Sequence, residues 1–468
     1  MSLSAQSYTD ASQPQTGPFH EPHRPGRAVP TTHRLNTLTQ LRAGTLKGVQ
    51  RLTLTGAGLT AFPEEIYDLA ESLEILDLSG NALHTLPEDL PRLHKLRILF
   101  CSNNQFTELP AVLGRCARLE MIGFKTNQIR HVPEAALPPQ LRWLILTDNQ
   151  IEALPEALGQ CARLRKLALA GNQLRALPAG LSQCERLELL RISANQFNAL
   201  PEWLSTMPRL TWLAFGGNPL TRQREMTALA QAPIPAVPWA RLALDELLGE
   251  GASGHIYRAH QDDGTPVALK LFKGGLTSDG LPESELAACL QAGPHPQLIS
   301  VQARLSGHPN QTQGLLMPLM GPSFRTLAGP PSLASCTRDV YADDQRLPAP
   351  AVMRMAAGLA SALRHLHARG LLHGDLYAHN ILHDNEGAAL LGDFGAASFL
   401  EAAPAGQVER LKRLDVRALG CFFEELLDHG ERLAPDEHTR LSALRDACLH
   451  PDPAQRPSAD DVALALEH

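Results

Sequence analysis

Three consecutive stretches, LRKLALAGNQL (Leu164–Leu174), LELLRISANQF (Leu187–Phe197) and LTWLAFGGNPL (Leu210–Leu220), share one register of apolar residues closed by an asparagine. The template LxxLxLxxNxL reaches back through LRWLILTDNQI from Leu141, LEMIGFKTNQI from Leu119, LRILFCSNNQF from Leu96 and LEILDLSGNAL from Leu73, with VQRLTLTGAGL from Val49 as a weaker first copy. The copies recur with a period close to 23 residues, and a fixed period of this length marks a stacked repeat architecture. Each copy is a short strand and a turn that cannot bury its own leucines, so neighbours must stack into one continuous core. Asn81, Asn104, Asn127, Asn149, Asn172, Asn195 and Asn218 are expected to form an inward ladder whose amides satisfy otherwise unpaired backbone groups. That role is structural, not catalytic. Cys116, Cys161 and Cys184 occupy one equivalent place in LGRCARL, LGQCARL and LSQCERL, as reduced cysteines filling a core slot would.

These segments resemble a leucine-rich-repeat array, which implies an α/β solenoid over residues 41–222 with about eight repeats. Side chains between the buried leucines face out of the concave sheet. Here they include Ile75, Ile98, Phe100, Met121, Trp143, Ile145, Leu189 and Trp212, interrupted by Lys166 and Arg191. An exposed apolar stripe with aromatic anchors suggests a docking surface for a protein substrate or regulator. The alternative is that another part of the same chain covers it. Residues 1–40, rich in Ser, Thr, Gln, Pro and His, read as a disordered tail. Pro233, Pro235 and Pro238 mark a stiff linker over residues 223–240.

The chain has 468 residues, net charge −7 and pI near 6.3, a balance that gives no global reason to expect a nucleic-acid partner. No apolar run approaches a bilayer span, and Met1–Pro18 lacks the basic start and apolar centre of a secretory signal. A cytoplasmic protein is expected. The Ser-rich start also resembles export signals of some bacterial effectors. Eight cysteines without a CxxC pair fit reduced thiols better than disulfides or zinc.

After the linker the chemistry changes. LLGEGASGHIYRA from Leu247 is a GxGxxGxV-like loop built on Gly249, Gly251 and Gly254, with Ile256 in the valine place. Glycines let backbone amides approach phosphates, yet many glycine-rich hairpins bind nothing. PVALKLF follows with Lys270, then ESELAACL, LLHGDLYAHNIL and GDFG. In this order and spacing the motifs resemble those of protein kinases, and the resemblance covers nearly all of residues 241–468 as an α+β bilobal domain. The whole chain looks like a bacterial leucine-rich-repeat protein kinase.

The resemblance implies ATP and Mg²⁺ as cofactors and carries roles onto matching positions. Lys270 would meet the α- and β-phosphates and pair with Glu285, with Glu283 as the rival. Asp375 would be the base that orients or accepts the substrate hydroxyl proton, and Asn380 and Asp393 would be metal ligands. Met317 would be the gatekeeper and Met320 the adenine-binding backbone position, while Leu248, Ile256, Ala268 and Leu382 would sandwich the base. LDVRALGCFFEELL supplies the central helix of the large lobe, with Asp415 and Gly420, and DPAQRP places Arg456.

Departures from the family pattern are as informative. Gly374 stands where the HRD motif has arginine, so no cation there reads a phosphorylated loop. The segment from Asp393 to Asp415 is short, lacks an APE triplet and has Ser398 as its only hydroxyl residue. Activity independent of loop phosphorylation is therefore expected, and Arg456 is left to pair with Glu409. Tyr377 replaces the lysine that serine/threonine kinases place against the transferring phosphate, which leaves serine/threonine versus tyrosine specificity open. The HGDxxxxN form is shared with small-molecule phosphotransferases. Those two missing cations also keep a pseudokinase scaffold open.

Overall fold

The computed structural model describes residues 31–231, 234–251, 253–400 and 404–467. Eight three-residue strands, β1 (Arg51–Thr53), β2 (Ile75–Asp77), β3 (Ile98–Phe100), β4 (Met121–Gly123), β5 (Trp143–Ile145), β6 (Lys166–Ala168), β7 (Leu189–Arg191) and β8 (Trp212–Ala214), form one parallel sheet in chain order. Each return path carries a 3₁₀ turn, and five of these begin after Pro110, Pro133, Pro155, Pro178 and Pro201, whose φ lies between −61° and −71°. The proline ring presets that angle and has no N–H to leave unpaired at the turn's start.

The asparagine ladder is continuous. Each ladder Oδ1 accepts an N–H from the preceding repeat at 2.9–3.1 Å, from Leu59, Leu83, Phe106, Ile129, Ile151, Leu174 and Phe197 in turn. The residue before each ladder asparagine is left-handed, at φ 51–72° through Gly80, Asn103, Thr126, Asp148, Gly171, Ala194 and Gly217. Glycine adopts this turn without strain, whereas Ala194 and Thr126 do not. Cys116, Cys161 and Cys184 are buried and free, and burial pushes their thiols up to about 11, about 11 and about 12.

Two expected boundaries are corrected. The tail assigned to residues 1–40 ends in helix α1 (Thr31–Arg42), whose Leu38 and Leu41 join the solenoid core; residues 1–30 lie outside the described residues. Averaging composition over the whole tail concealed Leu38, which with Leu41 just beyond it packs into the solenoid core at the first repeat. The expected linker takes in all but the first turn of α2 (Pro219–Gln231), which starts directly after the last ladder asparagine, and β9 (Ala236–Pro238). Pro233 lies outside the described residues.

The C-terminal domain has two lobes. β10 (Leu242–Glu250), β11 (Gly254–Gln261), β12 (Pro266–Phe272), β13 (Ala303–Ser306) and β14 (Gly314–Pro318) join β9 in a six-stranded sheet ordered β10-β11-β12-β14-β13-β9, with α3 (Pro282–Ala292) in the same lobe. The large lobe contains α4 (Ala349–Ala368), α5 (Ala405–His429), α6 (Pro435–Cys448) and α7 (Ala459–Leu466). Two small sheets complete it: β15 (Arg325–Thr326) with β17 (Ile381–His383) and β18 (Ala389–Leu391), and β16 (Leu371–Leu372) with β19 (Ser398–Phe399).

The two halves exchange core residues. Leu372, Leu400, Leu411 and Leu414 of the large lobe belong to the solenoid's apolar cluster, while Leu189, Trp212 and Ala228 belong to that of the large lobe. The concave stripe is accordingly not a free surface at its C-terminal end. Trp212 and Leu189, expected as partner-facing, are covered by the chain's own second domain. Ile98 and Met121 are also buried, and Phe100, Trp143 and Ile145 are half-buried; Lys166 lies over the Trp143 ring at 4.1 Å.

Asn172→Ala removes the acceptor of the Ile151 N–H and two donors to the Leu146 and Leu169 carbonyls. A loss of roughly 2–4 kcal/mol in unfolding free energy is expected for that buried cluster. Ala194→Gly should instead gain about 1 kcal/mol by relieving a left-handed alanine. Urea unfolding of the full chain checks both signs.

Candidate active site

The sheet of the small lobe fixes the first group of side chains by register. Gly249 lies opposite Ile256, Ile256 opposite Lys270, and Ala268 opposite Met317. This gathers the glycine loop, Lys270 and the expected base-binding residues on neighbouring strands; Met320 follows β14, and Leu382 lies on β17. The three loop glycines separate by cause. A Cβ on Gly249 or Gly251 would meet nothing within 4 Å, whereas one on Gly254 would lie 2.4 Å from the Leu271 carbonyl. Gly254 is thus demanded by the adjacent strand, and Gly249 and Gly251 leave bare backbone over the cleft. Leu248 is exposed at the same edge.

Lys270 Nζ donates to Glu285 Oε1 at 2.6 Å and to Asp393 Oδ1 at 3.2 Å. Burial alone would lower the lysine's pKa, but the Asp393 and Glu285 carboxylates reverse this and hold it above its ordinary value. Glu285 rather than Glu283 makes the pair. Asp393 has φ 53°, a strained backbone of the kind concentrated at functional sites.

The large lobe positions Asp375 through its own loop. The Asp415 carboxylate accepts the His373 and Gly374 N–H groups at 2.7 and 2.9 Å, and His373 Nε2 lies 3.2 Å from the Gly392 carbonyl. Asn380 Nδ2 donates to the Asp375 carbonyl at 2.9 Å and to Asp375 Oδ2 at 2.7 Å. With its nitrogen so used, Asn380 has Oδ1 left for a cation. One such amide oxygen plus the Asp393 carboxylate is a sparse oxygen set, which suits Mg²⁺ held jointly by protein and nucleotide phosphates. A site built from protein side chains alone would need more, and no cluster of three or more His, Cys, Asp or Glu suited to a metal occurs among the described residues.

Four residues that the motifs did not announce complete the surroundings. Asp339 accepts from the Ala378 N–H and pairs with His379 Nδ1, both at 2.6 Å. Arg191, at the end of β7 in the solenoid sheet, donates to Asp279 Oδ1 at 2.7 Å, to the Gly374 carbonyl at 3.0 Å and to Asp375 Oδ1. Trp212 stacks on Tyr377 with ring centroids 4.1 Å apart and donates to the Leu376 carbonyl at 3.0 Å. Of these, Trp212 and Arg191 had been noted in the sequence only as a member and an interruption of the apolar stripe, and Asp339 and Asp279 carried no signal.

The departures at Gly374 and Ser398 acquire physical reasons from the same contact. Gly374 has φ +72°, and a Cβ there would lie 2.4 Å from the Leu213 carbonyl and 2.9 Å from the Ala396 carbonyl. An arginine cannot occupy that place while the solenoid is docked. Ser398 is fully buried, and its hydroxyl accepts the Phe215 N–H at 2.9 Å. The expected Arg456–Glu409 pair is not formed: Arg456 donates to the carbonyls of His450, Arg413 and Pro208, and Glu409 pairs with Lys412. With the Pro451 carbonyl as a fourth acceptor, the buried guanidinium is served by chain carbonyls and no carboxylate.

Both halves of the chain are similar to known proteins. The protein kinase domain model matches residues 242–413, and leucine-rich-repeat models match residues 72–93 and 162–220. The serine/threonine-protein kinase SBK2 of Rattus norvegicus is 32% identical over 29% of this chain and 34% of its own length. The DNA damage-responsive serine/threonine-protein kinase RqkA of Deinococcus radiodurans is 33% identical over 36% and 24%. A probable LRR receptor-like serine/threonine-protein kinase of Arabidopsis thaliana is 33% identical over 34% and 25%. The chain spans only about a quarter to a third of the length of these relatives.

Restoring the family's arginine with Gly374→Arg should lower the unfolding free energy by roughly 2–4 kcal/mol, because it combines a left-handed backbone with a clash against a carbonyl. A thermal midpoint unchanged from wild type would refute this account of the glycine.

Proposed function

We propose that this chain, which carries a protein kinase domain behind a leucine-rich-repeat solenoid, transfers the γ-phosphoryl group of Mg-ATP to a protein hydroxyl, serine or threonine in preference to tyrosine. The observation that supports the reading is the bonding of Lys270 to both Glu285 and Asp393, beside a loop in which Asn380 holds Asp375. Bound Mg-ATP supplies the phosphoryl group and neutralises its charge. In the step itself the acceptor oxygen bonds to the γ-phosphorus, the bond from phosphorus to the bridging oxygen breaks, and ADP leaves with that electron pair. Asp375 orients the acceptor and takes its proton, Lys270 holds the α- and β-phosphates, and Asn380 and Asp393 are the metal-binding side chains. Positioning and electrostatics supply most of the acceleration in such a reaction.

The preference for serine or threonine is supported by the relatives, whose names describe serine/threonine kinases. Recruitment of a protein partner falls to the part of the concave face not covered by the second domain, where Phe100, Trp143 and Ile145 keep partial exposure. A cytoplasmic location is supported by eight cysteines that are all free and buried; among the described residues no helix is long and apolar enough to cross a membrane. The Deinococcus relative is consistent with a bacterial source.

The test is transfer of labelled phosphate from Mg-ATP by the full chain, offered a panel of proteins and of small alcohols. Asp375→Ala should lower protein labelling by at least about 100-fold, as loss of a positioned base does. Ser398→Ala should keep the rate within about threefold, since the buried hydroxyl has a structural partner and is closed to phosphorylation. Labelling confined to small alcohols, or nucleotide binding without transfer to any acceptor, would overturn the reading.

A further inference from the structure

The solenoid contacts the Gly374–Tyr377 loop directly, through Arg191 and Trp212. Arg191 is fully committed to the catalytic surroundings: one guanidinium nitrogen reaches Asp279 in the small lobe, and the other two reach the Gly374 carbonyl and the Asp375 carboxylate in the large lobe. Its side chain is 4% exposed, and the contact joins three parts of the chain at one planar group. A guanidinium is suited to this because its donors form a rigid fork and its charge is permanent.

Gly374 and Tyr377 are the two places where the sequence lacks a cation that the catalytic loop of this family carries. Both are filled by solenoid contacts. The space over Gly374 holds the Leu213 carbonyl, and the Tyr377 ring lies under Trp212. The charge present at this location comes from Arg191 instead.

The interface is built to persist. Leu411 and Leu414 of the large lobe lie in the solenoid core, and Leu189 and Trp212 lie in the core of the large lobe. Away from the catalytic loop, Arg410 donates to Ser205 Oγ at 3.0 Å and to Glu202 at 3.1 Å, and Ser284 of α3 donates to Glu225 of α2 at 3.1 Å. Apolar exchange of this kind is a feature of permanent interfaces. Arg191 is therefore a fixed component of the site, not a removable lid.

Nor does it consume the base. An ionised carboxylate has about four lone-pair positions. Arg191 takes one on Oδ1 and Asn380 takes one on Oδ2. Asp375 also keeps 14% of its side-chain surface exposed, which leaves room for an acceptor hydroxyl.

We infer that Arg191 is a positioning residue of the phosphoryl-transfer site, supplied by the solenoid, which orients Asp375 and ties it to the small lobe through Asp279. The inference rests on the kinase reading. It makes the solenoid a structural part of the catalytic centre in addition to any recruiting role.

The test is steady-state transfer by the full chain with a protein acceptor and Mg-ATP. Arg191→Ala is expected to lower kcat by about 100-fold while KM for ATP changes by less than about threefold, a split that marks lost positioning rather than lost binding. Arg191→Lys should recover only part of that loss, because an ammonium cannot reproduce the three-way fork. Asp279→Ala, which removes the small-lobe anchor and leaves Arg191 on Asp375, should lower kcat by about tenfold and keeps the question open to test if Arg191→Ala fails to fold. Arg410→Ala, which loosens the interface elsewhere, should leave kcat near wild type. An Arg191→Ala rate equal to or above wild type, in a chain with normal wild-type transfer, would overturn the positioning role and leave the kinase reading intact. Absence of transfer in wild type and Arg191→Ala alike would overturn both.

Discussion

Everything in the C-terminal half of this molecule is placed relative to one feature, the apolar contact in which two domains share their cores. Leu411 and Leu414 of α5 complete the solenoid, and Leu189 and Trp212 complete the large lobe. Once these side chains are exchanged, the last strands of the solenoid must lie along the loop from His373 to Asn380. The polar contacts then have little freedom: Trp212 reaches the Leu376 carbonyl, Phe215 reaches Ser398, and Arg191 reaches Asp375. Burial is non-directional and supplies the association. The hydrogen bonds, which would be costly to leave unmade inside it, supply the registration.

This dependence also explains how both lobes are held. α2 caps the final repeat and packs on α3, whose Glu285 holds Lys270, and Ser284 of the same helix donates to Glu225 of α2. On the other side β9, the end of the connector, runs parallel to β13 at the edge of the small-lobe sheet. The small lobe is thus attached to the solenoid through a helix and through backbone pairing. On the proposed kinase reading, a domain that receives its helix position from a fixed neighbour has less need of a long phosphorylated segment, and the stretch between Asp393 and Asp415 is short.

Much of this was legible in the sequence because repetition and fixed spacing are local properties. The period gave the solenoid, the ladder asparagines gave its inner bonding, and four short motifs in order gave the groups around the cleft. What sequence could not show was which concave positions meet solvent. Trp212 and Trp143 occupy the same place in their repeats, yet one is buried against Tyr377 and the other is half-exposed. Repeat position determines that a side chain points out of the sheet and says nothing of what lies opposite. For the same reason Gly374 and Tyr377 read as deletions of charge, since their replacement, Arg191, sits 183 residues away along the chain from Gly374.

The polarity of the contact has an evolutionary consequence. Repeat arrays ordinarily change length by duplication or loss of whole units, because each unit meets only its neighbours. In this chain such a change is neutral to the second domain only before β4, because Lys125, just after that strand, already donates to Ser278 at 3.4 Å. Duplicating a unit between β7 and β8 would move Arg191 and Trp212 onto non-adjacent strands, which could no longer meet Asp375 and Tyr377 together. Descent should therefore leave variable repeat number at the amino-terminal end and a constant final pair, so that the array keeps a growing end and an anchored one.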